Sequence, residues 1–531
     1  MYIEYVVIEG FKRIKRLETP LAENVNIIVG NNETGKTSFL EAIQLCLKGQ
    51  INRRPAVYEI HPFIFNQGIV REYIEKLKEG VKTSPPHILV ELYFDDDAEI
   101  AKYKGKQNSL RRDKPGMRLM IHLDEDFHEE FEEYISDAER IKHLPAEYYT
   151  VTWLDFAGNP VNPKKPKVRS TLVDPSTLPD TSATSRYILE LMRDLLDKQQ
   201  SANVSIAYRM MRDKFLQDDK VSDINQKLSE KASPISNKTI TIGLDLSSRG
   251  NWEGDVQPHL DGIPISLAGK GEQNIVKIKS ALHSATETKV ILIEEPENHL
   301  SHSNLNSLVH DIRQNTNLTQ VIISTHSSFV INKLGLTKTL MLGGEKVTSL
   351  DDLPASTREY FIKLPGHDTL RMLLAKRVIL VEGPSDELLI QRAYFDVHGK
   401  MPLENQVEVI SVNALAFKRF LDIAARLNIQ SAVVTDNDGD EEKMQERYSE
   451  YSGYDNIEVL VSDEAGGKTL EPQVVNVNSL DKLNGILGTS CSDKESLADY
   501  MEKNKSASAL SIFESQTCIE YPKYISEAIN E

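Results

Sequence analysis

The segment from Glu23 to Thr37 constrains the fold of this chain more than any other stretch. It runs from the β-branched sequence ENVNIIVG into the glycine-rich GNNETGKT, and FLEAIQLCL follows with apolar residues at helical spacing. The glycine-rich part matches G-x-x-x-x-G-K-T, and a strand before it with a helix after it is the context that a phosphate-binding loop needs. We therefore predict a strand–loop–helix unit that belongs to an α/β nucleotide-binding domain.

The residue types in this loop suit a nucleoside triphosphate. Gly30 and Gly35 let backbone N–H groups curl around an anion, Lys36 reaches the terminal phosphates, and Thr37 offers its hydroxyl group to magnesium. An accidental match in a turn is the alternative, and the flanking strand and helix argue against it. The residues predicted to contact ATP here are Asn31, Asn32, Glu33, Thr34, Gly35, Lys36, Thr37 and Ser38.

A second candidate site follows the apolar run VILIEEPENHL, residues 290–300. This run predicts a buried strand that ends in two adjacent carboxylates, Glu294 and Glu295. Carboxylates at such a position are costly to bury unless they hold a metal ion or activate a water molecule. The alternative is a buried strand that ends in a solvated acidic turn.

Two flanking segments support a site at this strand end. Upstream, SLAGKGEQ (266–273) places Ser266 and Gly269 at a predicted helix start, which is either an anion site or a simple helix cap. Downstream, His326 ends the predicted strand QVIISTHSS, and the carboxyl end of a parallel strand is where α/β sites form.

A third set of acidic residues lies in the C-terminal part of the chain. VILVE predicts a buried strand with Glu382 at its end, and Asp386 lies in the first turn of the next predicted helix, which Ser385 can cap. The strand SAVVTDNDGD ends in Asp436 and Asp438. Carboxylates that converge at one edge of a parallel sheet require divalent cations, because like charges otherwise shift one another's pKa values strongly.

Bulk properties limit the class of protein. A chain of 531 residues is expected to form two or three domains, and its net charge of −18 argues against coating nucleic acid by electrostatics alone. A nuclease is still compatible with that charge, because acidic sites grip phosphate through metal ions. Three cysteines without metal-ligand spacing indicate a reducing compartment, and no apolar run is long enough to span a bilayer, so we expect a cytoplasmic protein without membrane contact.

Composition also suggests where the domains meet. We predict an ATPase domain formed by residues 1–180 and 236–345, a linker at 346–370, and a second α/β domain at 371–531. Amphipathic helices are predicted between Ser185 and Lys231, with a break near Asn203. They form a helical insertion at 181–235, whose apolar stripe serves either the core or a dimerisation arm.

The N-terminal motifs, in this order, resemble the ABC-type ATPase heads of the recombination-protein and SMC superfamily. The resemblance implies that Glu294 supports the metal ion, where many relatives have aspartate, and that Glu295 polarises the attacking water. It also implies that Ser266 to Gln273 contacts the γ-phosphate of nucleotide bound to an opposite subunit, and that His326 is the switch histidine. Two heads would then sandwich ATP in a homodimer or larger homo-oligomer.

The C-terminal pattern, a glutamate-glycine after one strand and D-x-D after a later one, resembles the Toprim domain. An ABC-type head followed by a Toprim domain is similar to the OLD (overcoming lysogenization defect) family of two-metal nucleases. The resemblance implies Mg²⁺ or Mn²⁺, with Glu471 as a further ligand (Asp463 and Glu464 are rivals) and Lys505 as the catalytic lysine (Lys503 is its rival). The predicted metal ligands are Glu382, Asp386, Asp436, Asp438 and Glu471, with Thr37 at the nucleotide.

The expected function is that of an ATP-controlled, metal-dependent DNA endonuclease or nickase, in which Glu295, Lys505, Glu382, Asp436 and Asp438 are catalytic. Relatives of this architecture act in bacterial defence against phage, alone or with a partner protein or a retron, so the resemblance implies the same setting. The alternative is an SMC-like ATP-driven DNA-binding scaffold whose Toprim domain binds metal without cutting.

Overall fold

A computed structural model describes most of the chain, and it divides into two compact units. The first unit contains residues 1–15, 19–25 and 37–324, and the second contains residues 16–18, 26–36 and 325–531. Among the described residues, no helix is both long and apolar enough to cross a membrane. The described residues are 1–31, 34–51, 54–137, 141–162, 168–173, 196–232, 238, 240–242, 252, 256–283, 288–315, 319–343, 346–350, 353–364, 368–412 and 416–530.

The strands of the described part are numbered in chain order. They are β1 (Ile3–Phe11), β2 (Ile14–Pro20), β3 (Val25–Val29), β4 (Gln50–Ile51), β5 (Arg54–Pro55), β6 (Ile88–Phe94), β7 (Lys104–Gly105), β8 (Lys114–Leu123), β9 (Tyr149–Asp155), β10 (Ser170–Val173), β11 (His259–Leu260), β12 (Ile263–Pro264), β13 (Val290–Glu294), β14 (Gln320–Ser324), β15 (Thr339–Gly343), β16 (Lys346–Ser349), β17 (Arg377–Val381), β18 (Val407–Ser411), β19 (Gln430–Thr435) and β20 (Ile457–Val461).

The α-helices are numbered in the same way. They are α1 (Lys36–Lys48), α2 (Gln67–Lys78), α3 (His128–Ile135), α4 (Lys198–Leu216), α5 (Asp219–Ala232), α6 (Lys270–His283), α7 (His302–Asn315), α8 (Ser328–Leu334), α9 (Ala355–Lys363), α10 (Thr369–Leu374), α11 (Pro384–His398), α12 (Phe417–Leu427), α13 (Glu441–Arg447), α14 (Leu470–Val477), α15 (Leu480–Leu487), α16 (Lys494–Lys503), α17 (Lys505–Glu514) and α18 (Lys523–Asn530).

The first unit contains an antiparallel sheet and a set of parallel strands. Strand β6 pairs with β1 and β8, and β8 also pairs with β9, all antiparallel. Strand β13 pairs in parallel with β10 and β14. Every residue of β13 and β14 is buried, which explains why both strands read as continuous apolar runs rather than as alternating patterns.

The helical insertion differs in one detail from the prediction. Helix α4 continues through Asn203, where a break was predicted, and the chain turns instead between Leu216 and Asp219. A capping box fixes the start of α4, because Asp197 and Gln200 each accept a hydrogen bond from the other's backbone N–H. The predicted helical stretch before residue 196 lies outside the described residues.

The second unit contains strand β15, which pairs in parallel with β3 and antiparallel with β16. The segment 346–370, predicted as a linker, contains β16 and helix α9 and reaches the start of α10. Thr369 at the start of α10 donates a hydrogen bond to Asn332 of α8 at 2.8 Å. This stretch therefore carries regular elements, although its glycine and proline residues suggested loops.

The C-terminal sheet of the second unit has the strand order β18-β17-β19-β20. All three pairings are parallel, so the carboxyl ends of the strands share one edge. Its core contains apolar residues of β17 and β19 together with residues of helices α11, α14, α16, α17 and α18. This arrangement brings the residues that follow β17 and β19 to one edge of the sheet, as the sequence predicted.

Candidate active sites

The lysine of the phosphate-binding loop makes hydrogen bonds to the backbone of the same loop. Lys36 is 7% exposed, and its ammonium group donates to the backbone oxygens of Gly30 at 2.9 Å and Asn31 at 3.1 Å. The Thr34 hydroxyl group also donates to Asn31, at 2.9 Å. A Cβ atom at Gly30 would lie 2.8 Å from the Leu342 carbonyl oxygen, so a side chain would not fit there. Asn32 and Glu33 lie outside the described residues.

Thr37 and Glu294 lie in contact, as a nucleotide-bound magnesium ion would need. The Thr37 hydroxyl group donates a short hydrogen bond to the Glu294 carboxylate. Thr37 is exposed, whereas Glu294 at the end of β13 is only 8% exposed, and the neighbouring Ser38 is buried. A hydroxyl group beside a carboxylate offers the hard oxygen ligands that Mg²⁺ prefers.

Glu295 has an unusual backbone conformation. Its φ is +41°, in the left-handed region that non-glycine residues rarely adopt. Its N–H donates to the carbonyl oxygen of Ser324 at 2.8 Å, and its carboxylate accepts from the Asn298 side chain at 2.8 Å. Such a conformation persists only where neighbouring contacts impose it, which points to a functional position.

The segment 266–273 packs beside this turn. A Cβ atom at Gly271 would lie 2.4 Å from the His299 carbonyl oxygen, and Asn274 donates to the Asn298 carbonyl oxygen at 3.0 Å. Ser266 lies in a 3-10 turn before α6, and Gly269 directly precedes this helix and is exposed. Asn274 and Asn298 therefore connect this segment to Glu295, a link that the sequence analysis missed because neither asparagine belongs to a motif.

His326 follows β14 by two residues. The N–H of Thr325 beside it donates to Ile28 of β3, the strand that enters the phosphate-binding loop, at 3.2 Å. His326 itself is half-buried. Its position at a strand end agrees with the prediction, and its role as a switch stays a prediction.

In the C-terminal sheet, Glu382 and Asp436 occupy the ends of adjacent strands. One Glu382 carboxylate oxygen accepts from the Thr435 hydroxyl group at 2.5 Å and from the Asp436 N–H at 3.1 Å. Asp386, not Ser385, caps helix α11, because its carboxylate accepts from the Gly383 N–H at 3.0 Å. These bonds fix Glu382 and Asp386 on either side of the turn between β17 and α11.

Glu471 completes a group of four carboxylates. It lies in the first turn of α14, is 3% exposed, and forms an ion pair with Lys505 at 3.4 Å. The rivals are all exposed: Asp463 caps a 3-10 helix, Glu464 accepts from the Glu441 N–H, and Lys503 ends α16. Glu471 is buried where its acidic rivals are exposed, and its ion pair with the half-exposed Lys505 favours these two residues over the rivals.

The charges of this group act strongly on one another. Burial, followed by the charges of Asp386, Glu382 and Glu471, raises the pKa of Asp436 to about 8, although Lys505 opposes the shift. Burial and then the Glu382 charge raise the pKa of Asp386 to about 6, against the hydrogen bond from Gly383. Burial alone would lower the pKa of Lys505, but the charges of Glu471, Asp436 and Asp386 outweigh it and raise that pKa.

Asp438 occupies a different position from these four. It is exposed, and its φ of +51° turns the loop after β19. It lines a cavity of about 430 Å³ whose other lining residues are Asn437, Asp440, Lys443, Met444, Glu446 and Arg447. The structure therefore groups Glu382, Asp386, Asp436 and Glu471, and it leaves Asp438 on the solvent side of the turn.

The donor set suits a divalent cation. Carboxylate oxygens are the ligands of Mg²⁺ and Mn²⁺, and the buried Glu471 Oε2 contacts only the Lys505 ammonium group, at 3.4 Å, among the described residues. Within those residues, no three acidic, histidine or cysteine side chains already converge closely enough to hold an ion. The four carboxylates therefore fit the ion by charge and donor type.

Asn437, between the two aspartates, was not predicted as part of the site. It is fully buried, and its side-chain amide donates to the carbonyl oxygens of Ser462 at 3.1 Å and Gly467 at 2.9 Å. Its side-chain oxygen accepts from the Gly439 N–H at 2.7 Å, a local turn contact that the sequence N-D-G could have suggested. Asn437 therefore ties the Asp436 loop to the segment that leads into α14 and Glu471.

Comparison with known proteins finds relatives that cover much of the chain. Endonuclease GajA of Bacillus cereus (strain VD045) is 21% identical over 462 residues, which are 82% of this chain and 75% of that protein. The DNA replication and repair protein RecF of Lactobacillus acidophilus is 22% identical over 351 residues, 61% of this chain and 92% of that protein. An SMC head bound to the C-terminal winged-helix domain of ScpA has a TM-score of 0.35 at 14% identity, covering 66% of this chain and 99% of that one.

Two family descriptions match the chain and confirm the predicted pair of domains. "Overcoming lysogenization defect protein-like, TOPRIM domain" matches residues 373–438. "AAA domain, putative AbiEii toxin, Type IV TA system" matches residues 25–332, more than half of the chain. The chain belongs to this AAA-domain family and carries an OLD-like Toprim domain after its ATPase domain.

Proposed function

We propose that this protein is an ATP-controlled, divalent-metal-dependent DNA endonuclease or nickase. The observation that carries the proposal is the group of carboxylates Glu382, Asp386, Asp436 and Glu471, with Lys505 paired to Glu471; Glu471 is buried and the other three are half-buried. Neighbouring acidic groups whose charges raise the pKa values of Asp386 and Asp436 suit a cation-dependent reaction far better than a purely structural role. The similarity to an endonuclease over most of the chain supports the same conclusion.

The residues of this site have separable tasks. Glu382, Asp386, Asp436 and Glu471 would hold one or two Mg²⁺ or Mn²⁺ ions, and Asp438 would join them after a change of the turn. Ions held there would supply a nucleophilic water and would neutralise charge on the scissile phosphate. Lys505, a cation beside Glu471, stabilises the additional negative charge of the transition state.

The ATPase domain would control this reaction. Lys36 and the loop 31–38 bind the phosphates, Thr37 and Glu294 hold the nucleotide-bound Mg²⁺, and Glu295 activates water. The Thr37–Glu294 hydrogen bond and the constrained backbone of Glu295 support these roles. The domain boundaries at 180, 235, 345 and 370 belong to the same proposal.

We infer a homodimer or larger homo-oligomer in which the 266–273 segment completes the nucleotide site of a second copy. Helix α4 exposes several large apolar side chains, which suits a dimerisation arm: Ile206, Met210, Met211 and Phe215. Replacing Met210 and Phe215 with serine should shift sedimentation toward the monomer, and an unchanged sedimentation coefficient would rule out the arm.

The biological setting is inferred from the family alone. We propose a cytoplasmic protein of bacterial anti-phage defence that acts on DNA, either alone or with a partner protein or a retron nucleic acid. Loss of phage protection in cells that carry Lys36→Ala or Asp436→Ala would support this setting, and full protection by both variants would refute it.

One observation favours the alternative of an SMC-like DNA-binding scaffold. Asp438 is exposed and lies apart from the other four carboxylates, as it could in a non-cutting Toprim domain. Incubating the protein with supercoiled plasmid separates the two functions. Nicked product with Mg²⁺ or Mn²⁺, changed by ATP, is expected for the nuclease, whereas ATP-dependent DNA binding without any nicking would establish the scaffold.

A further inference from the structure

Tyr524 has a hydroxyl group that the packing of the core does not explain. The residue lies in α18 and is 5% exposed, and its ring packs in the apolar core of the C-terminal sheet with Val434 and Val474. Its hydroxyl group is buried and has no hydrogen-bond partner within the part of the chain that the structure describes. A buried polar group without a partner destabilises a fold, so its presence requires a reason.

The four carboxylates lie near enough to this hydroxyl group for their charges to act on it, and Tyr524 shares its core cluster with Val434 and Leu470, which lie close in sequence to Asp436 and Glu471. Burial raises the pKa of Tyr524 well above its ordinary value, and the charges of Asp436, Asp386, Glu471 and Glu382 raise it further, in that order. The phenol is thus a neutral group at physiological pH, able to donate one hydrogen bond. Among the four carboxylates, the charge of Asp436 acts most on the phenol.

Helix α18 is held firmly against the helix that carries Asp386. The imidazole of His398, at the end of α11, contacts the Ile529 carbonyl oxygen at 2.8 Å. Just before α18, the Tyr521 hydroxyl group donates to Asp396 of α11 at 2.6 Å. These contacts at both ends of α18 fix the backbone of Tyr524 relative to the carboxylate group.

We propose that Tyr524 is a positioning residue of the metal centre, whose hydroxyl group donates a hydrogen bond to the Asp436 carboxylate when that carboxylate holds the ion. This inference rests on the metal site of the proposed function and assigns it a residue from the C-terminal helix. A carboxylate ligand has two oxygens, and a donor on one of them directs the other toward the cation. Outer partners of this kind change metal affinity by about 10–100-fold.

The alternative is that Tyr524 contributes only its ring to the core. Tyr524→Phe distinguishes the two, because it keeps the ring and removes only the hydroxyl group. If the hydroxyl group has no partner at any stage, its removal leaves the metal-free protein equally or more stable and does not alter ion binding. Tyr521→Phe is a matched control, since it removes a hydrogen-bonded phenol close by in the chain and outside the carboxylate group.

The experiment is a calorimetric titration of full-length, nucleotide-free protein with Mn²⁺ in the absence of DNA. The heat that disappears in Asp386→Asn identifies binding at the carboxylate site. We expect Tyr524→Phe to weaken that binding about tenfold without lowering the metal-free melting temperature. Tyr521→Phe should lower the melting temperature and leave Mn²⁺ affinity unchanged.

Equal Mn²⁺ affinity of wild type and Tyr524→Phe would overturn the role of Tyr524. If the wild type binds Mn²⁺ at this site but never nicks DNA, the proposed nuclease function fails, and the titration still decides the role of Tyr524. A wild type that binds no Mn²⁺ at this site would overturn both.

Discussion

At the scale of single residues, Asp436 bears directly on the proposed chemistry. Burial and three neighbouring carboxylates raise its pKa to about 8, so at neutral pH its proton competes with a cation for the same oxygens. The Asp436 N–H donates a hydrogen bond to the Glu382 carboxylate, and the Asp436 charge raises the pKa of Tyr524. A metal ion would remove this repulsion, which makes the site dependent on both ion concentration and pH.

The raised pKa values have a testable consequence for stability. Between the ordinary pKa of 3.8 and the folded values of about 6 for Asp386 and about 8 for Asp436, the folded protein holds protons that the unfolded chain has released. Stability contributed by these protons is present at low pH and is lost as the pH rises through that window. The melting temperature of the metal-free second unit should therefore fall by a few degrees from pH 5 to pH 8.

Two controls separate this effect from general pH sensitivity. Asp436→Asn cannot ionise and should flatten the pH dependence, and Mn²⁺ should restore more stability to the wild type at pH 8 than at pH 6. Calorimetric scans of both proteins measure this. An identical pH dependence in wild type and Asp436→Asn would show that Asp436 is not the titrating group.

Glu295 allows a second test at the residue scale. Glu295→Gln keeps an oxygen that can accept from Asn298 but cannot take a proton from water, so ATP should bind normally while hydrolysis falls by about 10²–10⁴-fold. Lys36→Ala should instead lose nucleotide binding, because it removes the cation of the loop. Nucleotide binding and phosphate release, measured on the same samples, test both expectations. Hydrolysis at the wild-type rate by Glu295→Gln would show that Glu295 is not the general base.

At the scale of elements, the loop after β19 depends on contacts that are distant in sequence. Asn437 bonds to Ser462 and Gly467, in the segment between β20 and α14, so it couples Asp436 to the helix that carries Glu471. Asn437→Ala would leave two carbonyl oxygens and the Gly439 N–H without this partner. Buried polar groups that lose their partner cost about 1–3 kcal/mol each, so the free energy of unfolding should fall by at least that amount.

Nicking by Asn437→Ala at a temperature where the variant is still folded distinguishes a local role from general instability. We expect nicking to fall at least tenfold and to need more Mn²⁺ for half-maximal rate, whereas ATP hydrolysis is unchanged. Asn456→Ala is the matched control, because Asn456 is also buried and donates to the carbonyl oxygens of Ala424 and Ile429. If both variants need the same Mn²⁺ concentration as the wild type, Asn437 does not position the carboxylates.

The sequence predicted those parts of the site that follow from local pattern. A buried parallel strand followed by an acidic residue identifies Glu382 and Asp436, because carboxyl ends of parallel strands share an edge. Glu471 and Lys505 were predicted from the family resemblance, and the ion pair between them is consistent with that prediction. The exposure of Asp438 could not be predicted, because it depends on the left-handed backbone of the turn. Tyr524 was missed because its role depends on how the last helix packs against the sheet.

At the scale of the whole molecule, the proposed function requires different residues for ATP hydrolysis and for DNA cleavage. In this proposal, Lys36, Thr37, Glu294 and Glu295 would bind and hydrolyse the nucleotide, and the carboxylates of the C-terminal sheet would cleave the phosphodiester. The two sets have no residue in common, so each reaction can be removed by substitution without removing the other. Loss of both reactions from one substitution would instead indicate unfolding or obligatory coupling.

The most direct test measures plasmid nicking and phosphate release on the same preparation of an Asp436→Ala, Asp438→Ala double variant. The loss of two carboxylates leaves too little negative charge to hold the ions, so nicking should vanish with both Mg²⁺ and Mn²⁺ while ATP turnover stays near the wild-type rate. Asp463→Asn, at an exposed carboxylate of the same domain, should nick as the wild type does. Wild-type nicking by the double variant would contradict the central claim, because the cleavage site would then lie elsewhere.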